Sequence, residues 1–170
     1  MSERLNGAEL NKMIEAYFSI FMDAIYANNG DVNETAGDGL MVIFLNKDEK
    51  ENALEVVRSA LMIREKIALI NREARISSEP LVVNMGISSG RAFLGVSRFE
   101  SLTECRCTYT ARGMVTNVAA RIGAHASEGA ILISGSTADR VKAHFAVTPL
   151  GKLNLENVSD EVEIFAVSVK

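Results

Sequence analysis

The sequence predicts an α+β sandwich, with helices packed against a largely antiparallel sheet. Three observations predict it. Apolar residues recur at helical spacing in two long segments, while the segments between and after them alternate or run apolar at strand length. Glycine and polar turn residues separate these segments, and no repeat of fixed period interrupts them. With 170 residues, 48% of them hydrophobic, the chain has enough material for one domain with a substantial core and too much for intrinsic disorder.

The first helix starts near Glu9, where Leu10, Met13, Ile14, Tyr17, Phe18, Phe21, Met22 and Ile25 form a single apolar stripe. Asn28, Asn29 and Gly30 end it. DVNETAGDGLMVIFL then reads as a short strand, a tight turn at Gly37, Asp38 and Gly39, and a hydrophobic strand from Leu40 to Leu45. A second helix spans about Glu51 to Asn71, its buried face marked by Leu54, Val57, Leu61 and Ile67.

Pro80 opens the next strand, LVVNMGISSG. GRAFLGV and CRCTYTA follow as two strand pieces, and the polar SRFESLTE between them reads as the tip of a long hairpin. Gly113 precedes a small-residue helix, MVTNVAARIGAHA. After Gly129 comes the strand AILIS, then a short helix from Ser136 to Ala143, an edge strand FAVTPL and a terminal strand EVEIFAVSV. The pattern does not order the strands.

Charge and composition narrow the partners. Eighteen basic against 22 acidic residues give a net charge of -4, which argues against an extended nucleic-acid surface but permits a local site for a phosphorylated ligand. Cys105 and Cys107, two apart on one strand face, cannot make a disulfide framework or a four-ligand zinc site. No apolar run approaches the roughly 18 residues that span a bilayer, and MSERLNGAELNK has no signal-peptide core. A soluble cytoplasmic protein is the expectation. His125 and His144 have no ligand-spaced partner, and no GxxxxGK[ST] run supports a P-loop.

Five residues invite chemistry. Asp38 lies in a glycine-flanked turn before an apolar strand, where a carboxylate could meet a hard divalent cation beside a polyphosphate; turn geometry is the simpler local account. Asn117 and Arg121, four apart, share one face of a helix. Such an amide can orient a hydroxyl while the guanidinium neutralises a transferring phosphoryl group, although a surface ion pair explains most such arginines. Glu34 and Thr110 each stand three residues before a glycine, and could read a purine edge or be ordinary exposed strand residues.

NGDVNETAGDGLMVIF and YTARGMVTNVAARIGAHASEGAILIS together, in this order and with LVVNMGISSG between them, resemble the catalytic domain of the class III adenylate and guanylate cyclases. The resemblance runs from about Glu9 to Val167. It implies a ferredoxin-like core with a helical arm and a long hairpin, forming a head-to-tail homodimer whose active sites draw on both chains. It also implies a nucleoside triphosphate substrate, Mg²⁺ or Mn²⁺, and formation of a 3′,5′-cyclic nucleotide with loss of pyrophosphate. By the same resemblance Asp38 is a metal ligand, Asn117 orients the ribose, Arg121 stabilises the transition state, and Glu34 and Thr110 select the purine. Glu34 is the residue of guanylate cyclases and Thr110 that of bacterial adenylate cyclases, so the purine stays open.

Three departures from the family pattern are visible. Family domains begin with a strand resembling FADIVGFT that bears the first metal aspartate, and nothing between Met1 and Leu10 matches it. The single domain, residues 1 to 170, is thus expected to lack its first core strand, leaving neighbouring strands with unpaired edges unless the N-terminal region rearranges or another strand or subunit fills the gap. Glu156 stands where a phosphate-binding lysine is expected, and an acid repels a triphosphate. Gly113 to Asn117 reads GMVTN in place of GDTVN, which alters the start of the helix. An impaired cyclase-like dimerisation or nucleotide-sensing domain is the competing expectation.

Overall fold

The computed structural model describes residues 7–73, 80–100, 105–156, 158 and 161–170. Helix α1 covers Gly7–Tyr26. Its stripe is buried at Phe21 and Ile25, where it packs on Ile63 and Ile67 of α2, Glu49–Glu73. Asp48 caps α2, its Oδ1 accepting the backbone N–H of Lys50 at 2.8 Å and of Glu51 at 3.1 Å. The four residues expected on the inner face of α2, Leu54, Val57, Leu61 and Ile67, are all buried.

Between the helices, β1 (Gly30–Ala36) and β2 (Gly39–Phe44) form an antiparallel hairpin. Ala36 pairs with Gly39, so Gly37 and Asp38 are the two turn residues. Gly37 has φ 59°, the positive φ that a two-residue hairpin with glycine first requires.

The central sheet orders as β3-β6-β8-β7, from β3 (Met85–Ile87), β6 (Ile131–Ser134), β8 (Val162–Ser168) and β7 (Ala146–Leu153). β3 runs parallel to β6, and the other pairs are antiparallel. Ile131 and Ile133 face α2 and α4 (Gly135–Val141), while Leu132 faces α3 (Met114–His125). Helices on both faces of the sheet explain why β6 is apolar throughout rather than alternating. Fully burying each such side chain is worth about 1.5–3 kcal/mol. β7 is an edge strand as expected, and β8 lies inside the sheet.

A third sheet is the hairpin of β4 (Phe93–Glu100) and β5 (Cys105–Arg112), paired antiparallel over eight registers. The polar stretch expected as its tip is therefore partly strand: Ser97 to Glu100 pair with Cys105 to Thr108. The remaining tip residues, 101–104, lie outside the described residues. Both thiols are exposed on one face of β5, their sulfurs 3.9 Å apart.

Among the described residues the sheet is interrupted between β2 and β3. β2 and β3 belong to different sheets, yet Leu40 and Val42 of one, and Leu81, Val83 and Met85 at the other, pack on the same cluster under α1 and α2. Residues 80–84, expected as strand, alternate exposed and half-buried without strand pairing. Among the described residues no strand pairs with them on the side of β2, and Asn71 bonds both backbone groups of Leu81, at 2.8 Å each. Residues 7–10 are helical, and the rest of the N-terminal region expected to rearrange, residues 1–6, lies outside the described residues.

Candidate functional site

Three of the five expected residues come together. Glu34 on β1, Thr110 on β5 and Asn117 on α3 line one cleft of about 480 Å³, with Met41, Ala111, Arg112, Gly113, Thr116 and Ala120. The order of the chain explains the convergence. β5 runs into Gly113, whose φ of 149° turns it directly into α3, so Thr110 and Asn117 lie on either side of one corner. Thr116 Oγ1 donates to Gly113 O at 2.8 Å, closing the first turn of the helix.

The register of α3 decides which side chains reach the cleft. Val118 and Ile122 are buried against the sheet, while Thr116, Asn117 and Ala120 turn toward the cleft. Met114, Val115 and Val118 line a larger cavity of about 680 Å³ on another face of α3, beside Ser89, Ser134 and Ser136. It contains none of the five expected residues.

α3 is held close to the sheet. A Cβ on Gly86 of β3 would overlap the backbone of Ala119 and Gly123, so only glycine allows this approach. The β1–β2 hairpin is held from behind by the buried Glu55 of α2. Its Oε1 accepts from Asn29 at 2.7 Å and Asn46 at 3.1 Å, residues that flank the two ends of the hairpin. Asn29 has φ 58°, a left-handed conformation that asparagine tolerates.

Arg121 and Asp38 do not line the cleft. Arg121 lies one helical turn beyond Asn117 and pairs with Glu156 at 3.0 Å, the two side chains 44% and 72% exposed. The acid at the position of the expected lysine thus meets the arginine. Asp38 is exposed at the hairpin turn. Among the described residues no three His, Cys, Asp or Glu side chains converge on a metal position. Asp38 alone is one hard oxygen donor, which does not fit a two-metal centre.

One residue of the cleft and one that braces its wall carried no signal in the sequence. Arg112 adds a positive charge beside Glu34; it stands within the YTARG motif, next to the glycine that signalled the turn. Asn33 joins β1 to β5 through three hydrogen bonds to residues 109 to 111, and no local pattern announces such a contact.

Helices over an interrupted sheet, with an open cleft at the corner between β5 and α3, define an α+β catalytic domain of the nucleotidyl cyclase type. The family model for the adenylate and guanylate cyclase catalytic domain matches residues 1–168, and the chain belongs to that family. It is 27% identical over 171 residues to adenylate cyclase 1 of Rhizobium meliloti (strain 1021), covering 98% of this chain and 25% of that protein. A terminal-differentiation specific adenylate cyclase of Dictyostelium discoideum is 24% identical over 98% of this chain and 8% of its own length. The chain thus spans a quarter or less of these relatives.

Among solved structures, the adenylyl cyclase CyaB from P. aeruginosa superimposes with a TM-score of 0.87 at 25% identity, covering 99% of this chain and 87% of that one. The guanylyl cyclase Cya2 gives 0.86 at 27% identity, covering 99% and 85%. Adenylyl and guanylyl cyclases are similar to this chain to nearly the same degree, so likeness does not choose the purine. No helix among the described residues is long and apolar enough to cross a membrane.

Proposed function

We propose that this domain is a nucleotidyl cyclase that binds a purine nucleoside triphosphate in the Glu34–Thr110–Asn117 cleft and converts it to a 3′,5′-cyclic nucleotide and pyrophosphate. The observation that carries the reading is the convergence of those three residues, from β1, β5 and α3, on one cleft. Glu34 and Thr110 address the base edge. The Asn117 amide holds the ribose so that its 3′ hydroxyl faces the α-phosphorus, a gain from positioning. Arg121, one turn along the same helix face, meets the negative charge that grows on the phosphoryl oxygens as pyrophosphate leaves.

The working form is a homodimer. Phe93, Val96, Tyr109 and Met114, on the β4–β5 hairpin and at the start of α3, are each about half exposed or more, an apolar surface suited to a second copy. Each cleft then takes the Asp38 of the partner subunit, which accounts for the absence of this chain's own Asp38 from its cleft. Family cyclases draw on Mg²⁺ or Mn²⁺ to balance phosphate charge. Because the described carboxylates do not make a two-metal centre, the steps above rest on the side chains alone.

The test is cyclic nucleotide formation from ATP and from GTP with Mg²⁺ or Mn²⁺, repeated on Asp38→Ala, Asn117→Ala and Arg121→Ala. Each substitution should lower turnover at least tenfold, a loss of about 1.4 kcal/mol of transition-state stabilisation; turnover indifferent to all three rejects the site. One further reading has support. The Arg121–Glu156 ion pair and the solitary Asp38 favour a domain that binds nucleotide without efficient turnover, and calorimetric binding with no product would establish it.

A further inference from the structure

Cys105 and Cys107 stand on one face of β5, both exposed, their sulfurs 3.9 Å apart. Strand register adds two neighbours to that face, because Glu100 pairs with Cys105 and Arg98 with Cys107 across the β4–β5 hairpin. The Arg98 guanidinium ties the group together, its Nε–H facing Cys105 Sγ at 3.2 Å and Glu100 Oε1 at 2.7 Å. None of the four lines the Glu34–Thr110–Asn117 cleft. Thr110 stands an odd number of residues from both thiols, so its side chain leaves the opposite face of the strand.

The strand decides between a disulfide and a chelate. Residues two apart in a strand lie about 6.4–6.8 Å from each other with parallel Cα–Cβ bonds, whereas a disulfide brings its Cβ atoms to about 3.5–4.5 Å. An intact β5 therefore keeps both thiols free. A metal ion asks for less movement. Two thiolates bound to one tetrahedral zinc ion at about 2.3 Å each stand about 3.8 Å apart, which is nearly the separation of these sulfurs. Charge is also in balance, since two thiolates offset a dication while Arg98 and Glu100 offset each other. The Arg98 N–H on Cys105 Sγ is the kind of outer-shell contact that orients a metal ligand.

We propose that Cys105 and Cys107 form a two-thiolate site for a soft divalent cation such as zinc, on the face of the hairpin away from the nucleotide cleft. The ion displaces two thiol protons to solvent, and water fills its remaining positions. This is an open, exchangeable site and not the closed four-ligand kind, which two cysteines cannot supply. Thiolate sulfur also discriminates against magnesium, which takes oxygen ligands, so the site is separate from any ion that accompanies a triphosphate. It holds whether or not the cleft turns over nucleotide.

The experiment uses the full chain, kept reduced by a phosphine, with its Cys105→Ser, Cys107→Ser and doubly substituted variants. Calorimetry with Zn²⁺ and ultraviolet cadmium–thiolate absorption with Cd²⁺ should each find one ion per chain, and excess Mg²⁺ should displace neither. Both thiols are exposed, so serine should leave the fold intact, which an unchanged melting temperature checks. Each single substitution should weaken binding about a hundredfold or more, at least what losing an outer-shell partner costs a metal site. The double variant should show no cadmium–thiolate absorption.

Single variants that keep the parent affinity overturn the proposal, since the thiols then bind separately and not as a chelate. Binding undiminished in the double variant overturns it by moving the ion elsewhere, and one ion per two chains does so by making the site a bridge between copies. Displacement by Mg²⁺ would reveal a hard oxygen site. A chain isolated without reductant whose two thiols are already joined would show that β5 does not hold them apart, and either of these last results also overturns the proposal.

Discussion

Arg121 and Glu156 set two roles against each other in one ion pair. Both are exposed to water, where such a pair is worth about 0–1 kcal/mol. Glu156→Gln should therefore leave the melting temperature nearly unchanged. Its effect on turnover should be larger in kind, since it releases a guanidinium for the phosphoryl group; about a fivefold rise in kcat is the ceiling that 1 kcal/mol sets. The rise should be absent in an Arg121→Ala background, and a fall in kcat would show the pair orienting Arg121 rather than restraining it. Asp48 offers a residue-scale test of stability. Backbone N–H groups, first that of Glu51 and then that of Lys50, hold its carboxyl below the usual aspartate value. Because the folded value is depressed, the stabilisation is present above the ordinary carboxylate pKa near about 4 and is lost as pH falls below it. Asp48→Ala should melt earlier than the parent at pH 7, and the gap should close on acidification below pH of about 4. A gap constant with pH would mean that the cap works without its charge.

Elements were legible where one physical signal dominated. The α2 face could be read because a helix buried on one side must repeat its apolar residues every three or four positions, and β6 because a strand covered on both faces is apolar throughout. Residues 80–84 carry a strand pattern, yet their pairing depends on a neighbour that the local sequence does not contain. Ser97 to Glu100 were harder for the opposite reason: a free-standing hairpin exposes polar side chains such as Arg98 and Glu100, paired at 2.7 Å, so strand and loop share a composition. Gly86 shows what local reading leaves out. Its small size serves Ala119 and Gly123 of α3, more than thirty residues later in the chain. Gly86→Ala should push α3 away, at a stability cost of about 1–3 kcal/mol for an overpacked contact. Because α3 carries Asn117 and Arg121, turnover should fall by up to about 10²-fold, beyond what the melting temperature accounts for. A destabilised variant that keeps full turnover at low temperature would disconnect the packing from the chemistry.

At the scale of the molecule, site residues could be named from the resemblance, but their grouping could not, since Glu34, Thr110 and Asn117 meet only after three elements have packed. The grouping also separates them from this chain's Asp38. That division makes the dimer testable without a structure of the pair. If each cleft joins Glu34, Thr110 and Asn117 of one protomer to the Asp38 of the partner subunit, Asp38→Ala and Asn117→Ala homodimers should each be impaired at both sites. Mixed and allowed to exchange subunits, half of the dimers become heterodimers. Each of these places both lesions in one cleft and leaves the other intact, so the mixture should recover about a quarter of parent activity. A cleft that uses Asp38 of its own chain gives a different outcome, because every cleft in every dimer then carries one lesion and mixing restores nothing. Recovery should also disappear with Val96→Asp in both partners, since Val96 is 63% exposed on β4 and a buried, unpaired carboxylate there opposes association. Recovery that survives this substitution would move the interface away from the β4–β5 hairpin while keeping the shared site.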